Sequence, residues 1–171
     1  DAANLKQQGL FDLLADYRPQ GIVRLIGASS SLPELPALID LGVFDTFQIP
    51  YSCLAPKHHT LIHDAAATGA GIILRGGIAQ GGPQAEIQRP LLNEVWTGAR
   101  LEEILPDDMT AAQMILRYTL SHTACHTTIV GTCNPEHLAE NIAAATAGPL
   151  ASELVGEITT RVTEWHQRQG E

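Results

Sequence analysis

Short, almost wholly apolar runs alternate with amphipathic stretches along this chain. "IVRLIGAS" predicts a strand over Ile22 to Ala28, "VFDTFQIPYS" one over Phe44 to Ile49, "GIILRGG" a third and "TTIVGT" a fourth. Between them the apolar positions recur at helical spacing. "LKQQGLFDLLADYRPQG" places Leu10, Leu13 and Leu14 on one helical face and stops before Pro19 and Gly21. "SLPELPALIDLG" reads as a helix with Ser31 as its cap, and "PKHHTLIHDAAATG" as one ending at Gly69. A Gly/Pro-rich connection follows, with a short helix around Leu91 to Trp96. "TAAQMILRYTLSH" is strongly amphipathic, with Thr110 or Asp108 placed to cap it. "NPEHLAENIAAATA" carries Pro135 at a first-turn position, where its missing N–H costs nothing. "ASELVGEITTRVTEWHQRQ" closes the chain as a last helix.

The order is one helix, then four strand–helix units, then a C-terminal helix. Strands that alternate with helices run parallel and are joined by right-handed crossovers. Strands this uniformly apolar are covered on both faces. Four such units suit either a doubly wound sheet or half of a (β/α)8 barrel, and periodicity alone does not choose. The 171 residues form a single domain, 1–171, on this reading.

Charge narrows the partners. The net charge is −9 with histidine neutral, and no Lys/Arg-rich stretch occurs, so nucleic acid and anionic membrane surfaces are not expected. No apolar run reaches the roughly 20 residues of a membrane span, and the polar opening "DAANLKQQGLFDLLADYRPQG" is not expected to be a signal peptide. Cys53, Cys125 and Cys133 are few, scattered and odd in number, which points to a reducing cytoplasm rather than a disulfide scaffold.

In either fold, ligands bind at the carboxyl ends of parallel strands. Those ends carry Gly27, Ala28, Ser29 and Ser30; Gln48 to Tyr51; Arg75, Gly76 and Gly77; and Gly131, Thr132 and Cys133. Small residues let a ligand approach the backbone, and the helix after Gly131 presents free N–H groups that suit a phosphate. Ordinary turn chemistry uses the same residue types.

The segments "VRLIGASS", "FDTFQIPYS", "GAGIILRGGIAQGG", "TAAQMILRYTLSH" and "IVGTCNPEHLAENI" occur in the order seen in aldo-keto reductases. From Ile22 to Leu150 the chain resembles the second half of that family's barrel. The resemblance implies a (β/α)8 half-barrel, an NADP or NAD cofactor held in extended form, and hydride transfer to or from a small aldehyde or ketone. By the same resemblance, Ser29 and Ser30 match the Ser-Asn pair on the nicotinamide carboxamide, and Gln48 contacts the same amide. Arg75 stands where many members stack an aromatic ring on the nicotinamide. Gly131 and Thr132 match the turn beside the adenosine 2′-phosphate, and Glu140 and Asn141 the pair on the adenine.

The chain also departs from the pattern. Ser30 replaces Asn, so one amide partner is shorter. Arg75 replaces an aromatic, although a flat guanidinium also stacks. No Lys occupies the 131–133 turn, and His137 stands where some members have an Arg for the phosphate. The family's catalytic Tyr, Lys, Asp and His lie on the first four barrel strands, before the matched stretch. Tyr17, Tyr51 and Tyr118 are not in the matching context. No catalytic residue is therefore assigned, and the chain alone is expected to be inactive. Three classes remain: a piece of an oxidoreductase, a half-barrel that pairs with itself as a homodimer or with a complementary half, and a non-catalytic nucleotide-binding or regulatory module that self-assembles.

Other constellations have ordinary readings. His59 and His63 stand at i, i+4 in "HHTLIH", a chelating spacing, but no acidic third ligand is obvious and a solvated helix face is expected. "HTACH" offers His122, Cys125 and His126, read as a loop tip, so no metal is expected. Gly76, Gly77, Gly81 and Gly82 suit either a phosphate cradle or a flexible loop. Asp107 and Asp108 favour the start of the next helix. Trp96 is a candidate substrate wall, and Trp165 is expected to pack on the terminal helix.

Overall fold

The computed structural model describes residues 9–79, 81–83 and 90–170. The first residues of the opening helix, and part of the Gly/Pro-rich connection, lie outside the described residues. The elements run α1 (Leu10–Asp16), β1 (Gly27–Ser29), α2 (Leu35–Asp40), β2 (Thr46–Pro50), α3 (His59–Ala67), β3 (Gly71–Arg75), α4 (Pro90–Gly98), a 3-10 turn (Leu101–Ile104), α5 (Ala111–Leu120), β4 (Thr127–Ile129), α6 (Pro135–Ala147) and α7 (Ser152–Gln169). The strands form one parallel sheet in the order β1-β2-β3-β4. This is the open arc expected of half a parallel α/β barrel, because each crossover helix returns the chain to start a neighbouring strand in the same direction.

One face of the sheet carries the core. Phe47, Ile49, Ile72 and Leu74 are buried against Leu35 and Leu38 of α2, Ile62 and Ala65 of α3, and Met114 and Ile115 of α5. Each such side chain contributes about 1.5–3 kcal/mol on burial. The alternate residues Thr46, Gln48, Pro50, Ile73 and Arg75 are only half-buried on the other face. Successive strand residues point to opposite faces, so this second face is the one that stays open. α7 packs separately, with Ile158 and Val162 buried beside α4 and the 3-10 turn.

Two local expectations shift. The first strand begins at Gly27, not Ile22. Its only neighbour among the described residues is β2, which starts at Thr46, and the backbone before that is held instead by Asp45, whose carboxylate accepts from the Ile26 N–H at 2.6 Å. Ile22 and Leu25 are left exposed, at 62% and 58%. Ser31 does not cap α2: the helix starts at Leu35 with Glu34 before it, and Ser31 contributes only its backbone carbonyl, to the Leu35 N–H. The other caps follow the sequence. Thr110 accepts from the Gln113 N–H while the Gln113 side chain accepts from the Thr110 N–H, a reciprocal capping box. Asn134 caps α6 through Glu136, with Pro135 in the first turn.

Candidate functional site

The residues picked from the strand ends gather at the carboxyl edge of the sheet. Ser29 and Gln48 are register partners on β1 and β2, and the Ser29 hydroxyl donates to Gln48 Oε1 at 2.9 Å. The Gln48 amide N–H groups remain available to an acceptor. The Ser30 N–H donates to the Gln48 carbonyl at 3.1 Å, which fixes the backbone of the pair beyond the end of β1. Arg75 is paired with Pro50 and Ile129, two residues beyond Gln48's partner Ile73 on the same face. Its Nε is buried with no hydrogen-bond partner. A buried guanidinium N–H with no acceptor is costly, so the position is chemically unfinished.

The second group stands on the β4–α6 turn. Gly131 is exposed, and a Cβ built there meets nothing within 4 Å. The Thr132 hydroxyl accepts from the Asn134 N–H at 3.1 Å, shaping the approach to α6. Glu140 is exposed and Asn141 half-buried on α6. The helix buries only Ala144 among its described side chains, leaving Leu138 and Ile142 half or more exposed.

Several candidates have packing roles instead. A Cβ on Gly77 would stand 2.6 Å from Thr128 Oγ1 and 3.2 Å from Thr119 Cγ2, and the Gly77 carbonyl accepts from the Thr119 hydroxyl. Gly77 therefore permits a close helix–strand approach and leaves no room there for a phosphate. Trp96 is buried, donates to Glu102 at 2.9 Å and lines a cavity of about 490 Å3 with Asn93, Arg100 and Glu103. Trp165 lies against Gly98 of α4, as packing on the terminal helix predicts.

The connection after β2 holds buried polar groups whose burial the sequence does not signal. His58 is buried, and its Nε2 accepts from the Leu32 N–H at 3.0 Å, tying the β1–α2 connection to the start of α3. Burial, with the Lys57 and Arg75 charges, lowers its pKa and keeps it neutral. Tyr51 and Cys53 are buried beside it in sequence, and burial pushes both up, the thiol to about 12. Nothing periodic marks such residues, because they lie in an irregular connection. His122, read as part of a loop tip, is buried and meets His59 and His63.

Four parallel strands alternating with helices define an α/β fold of the barrel type. The chain matches the model of the aldo/keto reductase family over residues 3–161, and it belongs to that family. It is similar in structure to the holo form of aldo-keto reductase AKR11C1 from Bacillus halodurans, with a TM-score of 0.72 and 19% identity over 88% of this chain and 54% of that one. The apo form gives a TM-score of 0.74 and 21% identity over 88% and 55%. The chain thus spans about half the length of these structures, and at this identity the likeness carries the fold. A search of curated proteins finds no match. No described helix is long and apolar enough to cross a membrane.

Proposed function

We propose that this chain seats the nicotinamide dinucleotide, NADP or NAD, of an aldo-keto-reductase-type oxidoreductase acting on a small aldehyde or ketone. The observation that carries the reading is the pairing of Ser29 with Gln48 on the open face, one step from a buried Arg75 N–H that lacks an acceptor. These residues fit the group: an amide partner, a flat cation and a glycine turn stand at the ends of adjacent parallel strands. Bound there, the dinucleotide supplies or accepts the hydride.

The chain's own residues would bind and orient. Gln48 and Ser29 hold the carboxamide and fix which ring face is presented. Ser30 keeps the Gln48 backbone in place. Arg75 stacks on the ring and supplies positive charge. Gly131 and Thr132 present backbone N–H groups at the start of α6 to the phosphate end, and Glu140 and Asn141 border the adenine. On this reading the proton donor and its partners come from another segment. The open face and the free edges of β1 and β4 are covered by further strands, from a second copy of this chain or from a complementary half.

The test is binding. Quenching of tryptophan fluorescence by NADPH should saturate, and Arg75→Ala should weaken NADPH by about tenfold, the scale of one stacking or charge-assisted contact. The same variant should leave 2′,5′-ADP nearly unchanged. Equal losses for both ligands would place Arg75 away from the nicotinamide end.

A further inference from the structure

We propose that His59, His63 and His122 form a three-imidazole site for a divalent cation of the zinc type, with a fourth position open to water. Their ligating nitrogens all lie within 4.8 Å of one another, and they are the one such group of three among the described residues. The ring centroids are 5.4 Å apart for His59–His63, 4.6 Å for His59–His122 and 4.5 Å for His63–His122. Tetrahedral zinc holds nitrogens at about 2.0–2.1 Å, hence roughly 3.4 Å from one another. His59 and His63 are exposed and can rotate to close the difference, while His122 is buried and fixed.

Two of the three imidazoles already carry hydrogen bonds that can orient them. Tyr51 OH meets His59 Nδ1 at 2.9 Å. With its proton on Nδ1, His59 donates to the Tyr51 oxygen and offers Nε2 to the cation. Metal-bound imidazoles are oriented by such a bond on their other nitrogen. His122 makes two contacts of 3.2 Å, from the Ala124 N–H to Nδ1 and between Nε2 and the His59 carbonyl. Coordination through Nδ1 displaces the Ala124 contact and keeps Nε2–H donating to the His59 carbonyl as the orienting bond. The cation would join the first turns of α3 to the segment after α5.

The experiment uses tag-free chain stripped with chelator, titrated with zinc against a chromophoric competitor. One zinc per chain is expected, at about 10 µM or tighter. His63→Ala and His122→Ala should each weaken it by more than about tenfold, while His137→Ala on α6 should not. Cobalt in place of zinc should give the intense visible bands of a four-coordinate site, lost in His63→Ala. His63 is exposed, so that variant decides the matter even if His122→Ala fails to fold. No binding at 100 µM zinc, or binding indifferent to His63→Ala, overturns the site.

Discussion

Replacing Gly98 by Ala should destabilise the chain, although the same change inside an exposed helix stabilises by roughly 1 kcal/mol. Gly98 ends α4, and the new Cβ would stand 2.0 Å from Trp165 Nε1 and 2.5 Å from Trp165 Cδ1 on α7. Ordinary contact needs about 3.5 Å, so the indole must retreat by roughly 1.5 Å. Trp165 is half-buried against the α4–α7 seam, which also holds Val95, Leu101, Ile158 and Val162. Overpacking of this kind costs about 1–3 kcal/mol. Set against the helix gain, the net loss is up to about 2 kcal/mol. Urea denaturation followed by fluorescence and circular dichroism measures it. The clash has a specific signature: in a Trp165→Leu background Gly98→Ala should become neutral or stabilising, a coupling of roughly 1 kcal/mol or more. A stabilised Gly98→Ala single variant, or additive changes in the double variant, would refute the argument.

Two further outcomes follow from burial. Burial pushes the Cys53 thiol from 9.0 to about 12, so the folded chain keeps a proton that the unfolded chain releases. Stability is then level below the ordinary thiol pKa and falls as pH rises through it, by roughly 2 kcal/mol at about pH 10.5. Cys53→Ala should lose less than the parent between pH 8 and 10.5 in urea midpoints, and equal losses would contradict the assignment. Ile129 is 48% exposed on β4, whose only described neighbour is β3. If the open face pairs with a second copy, light scattering at micromolar concentration reports at least a dimer, and Ile129→Lys shifts it toward monomer or precipitates it. A monomer with sharp cooperative unfolding would mean that these units close their core unaided.

Most elements and their order are legible in the chain's own pattern. Runs such as "GIILR" and "TFQIP" are strands because short, β-rich stretches alternate buried and open-face residues, and the intervening helices show their periodicity and caps locally, at Thr110, Asn134 and Pro135. The pattern also determined which residues stand at strand ends, since a parallel sheet places every carboxyl end on one side. Where strands stop and what meets across them depends on the packing of distant segments. β1 is short because pairing depends on where β2 begins, and "IVRLI" carries no record of its neighbour. Gly77 and a phosphate-cradling glycine look alike until Thr128 and Thr119 fill the space beside it. The i, i+4 spacing of His59 and His63 is legible in six residues, but His122 reaches them only because α5 packs over the sheet and delivers its C-terminal end beside α3. Local propensity acts over a few residues, whereas burial of Arg75 Nε, Cys53 and His122 is set by side chains brought in from distant segments.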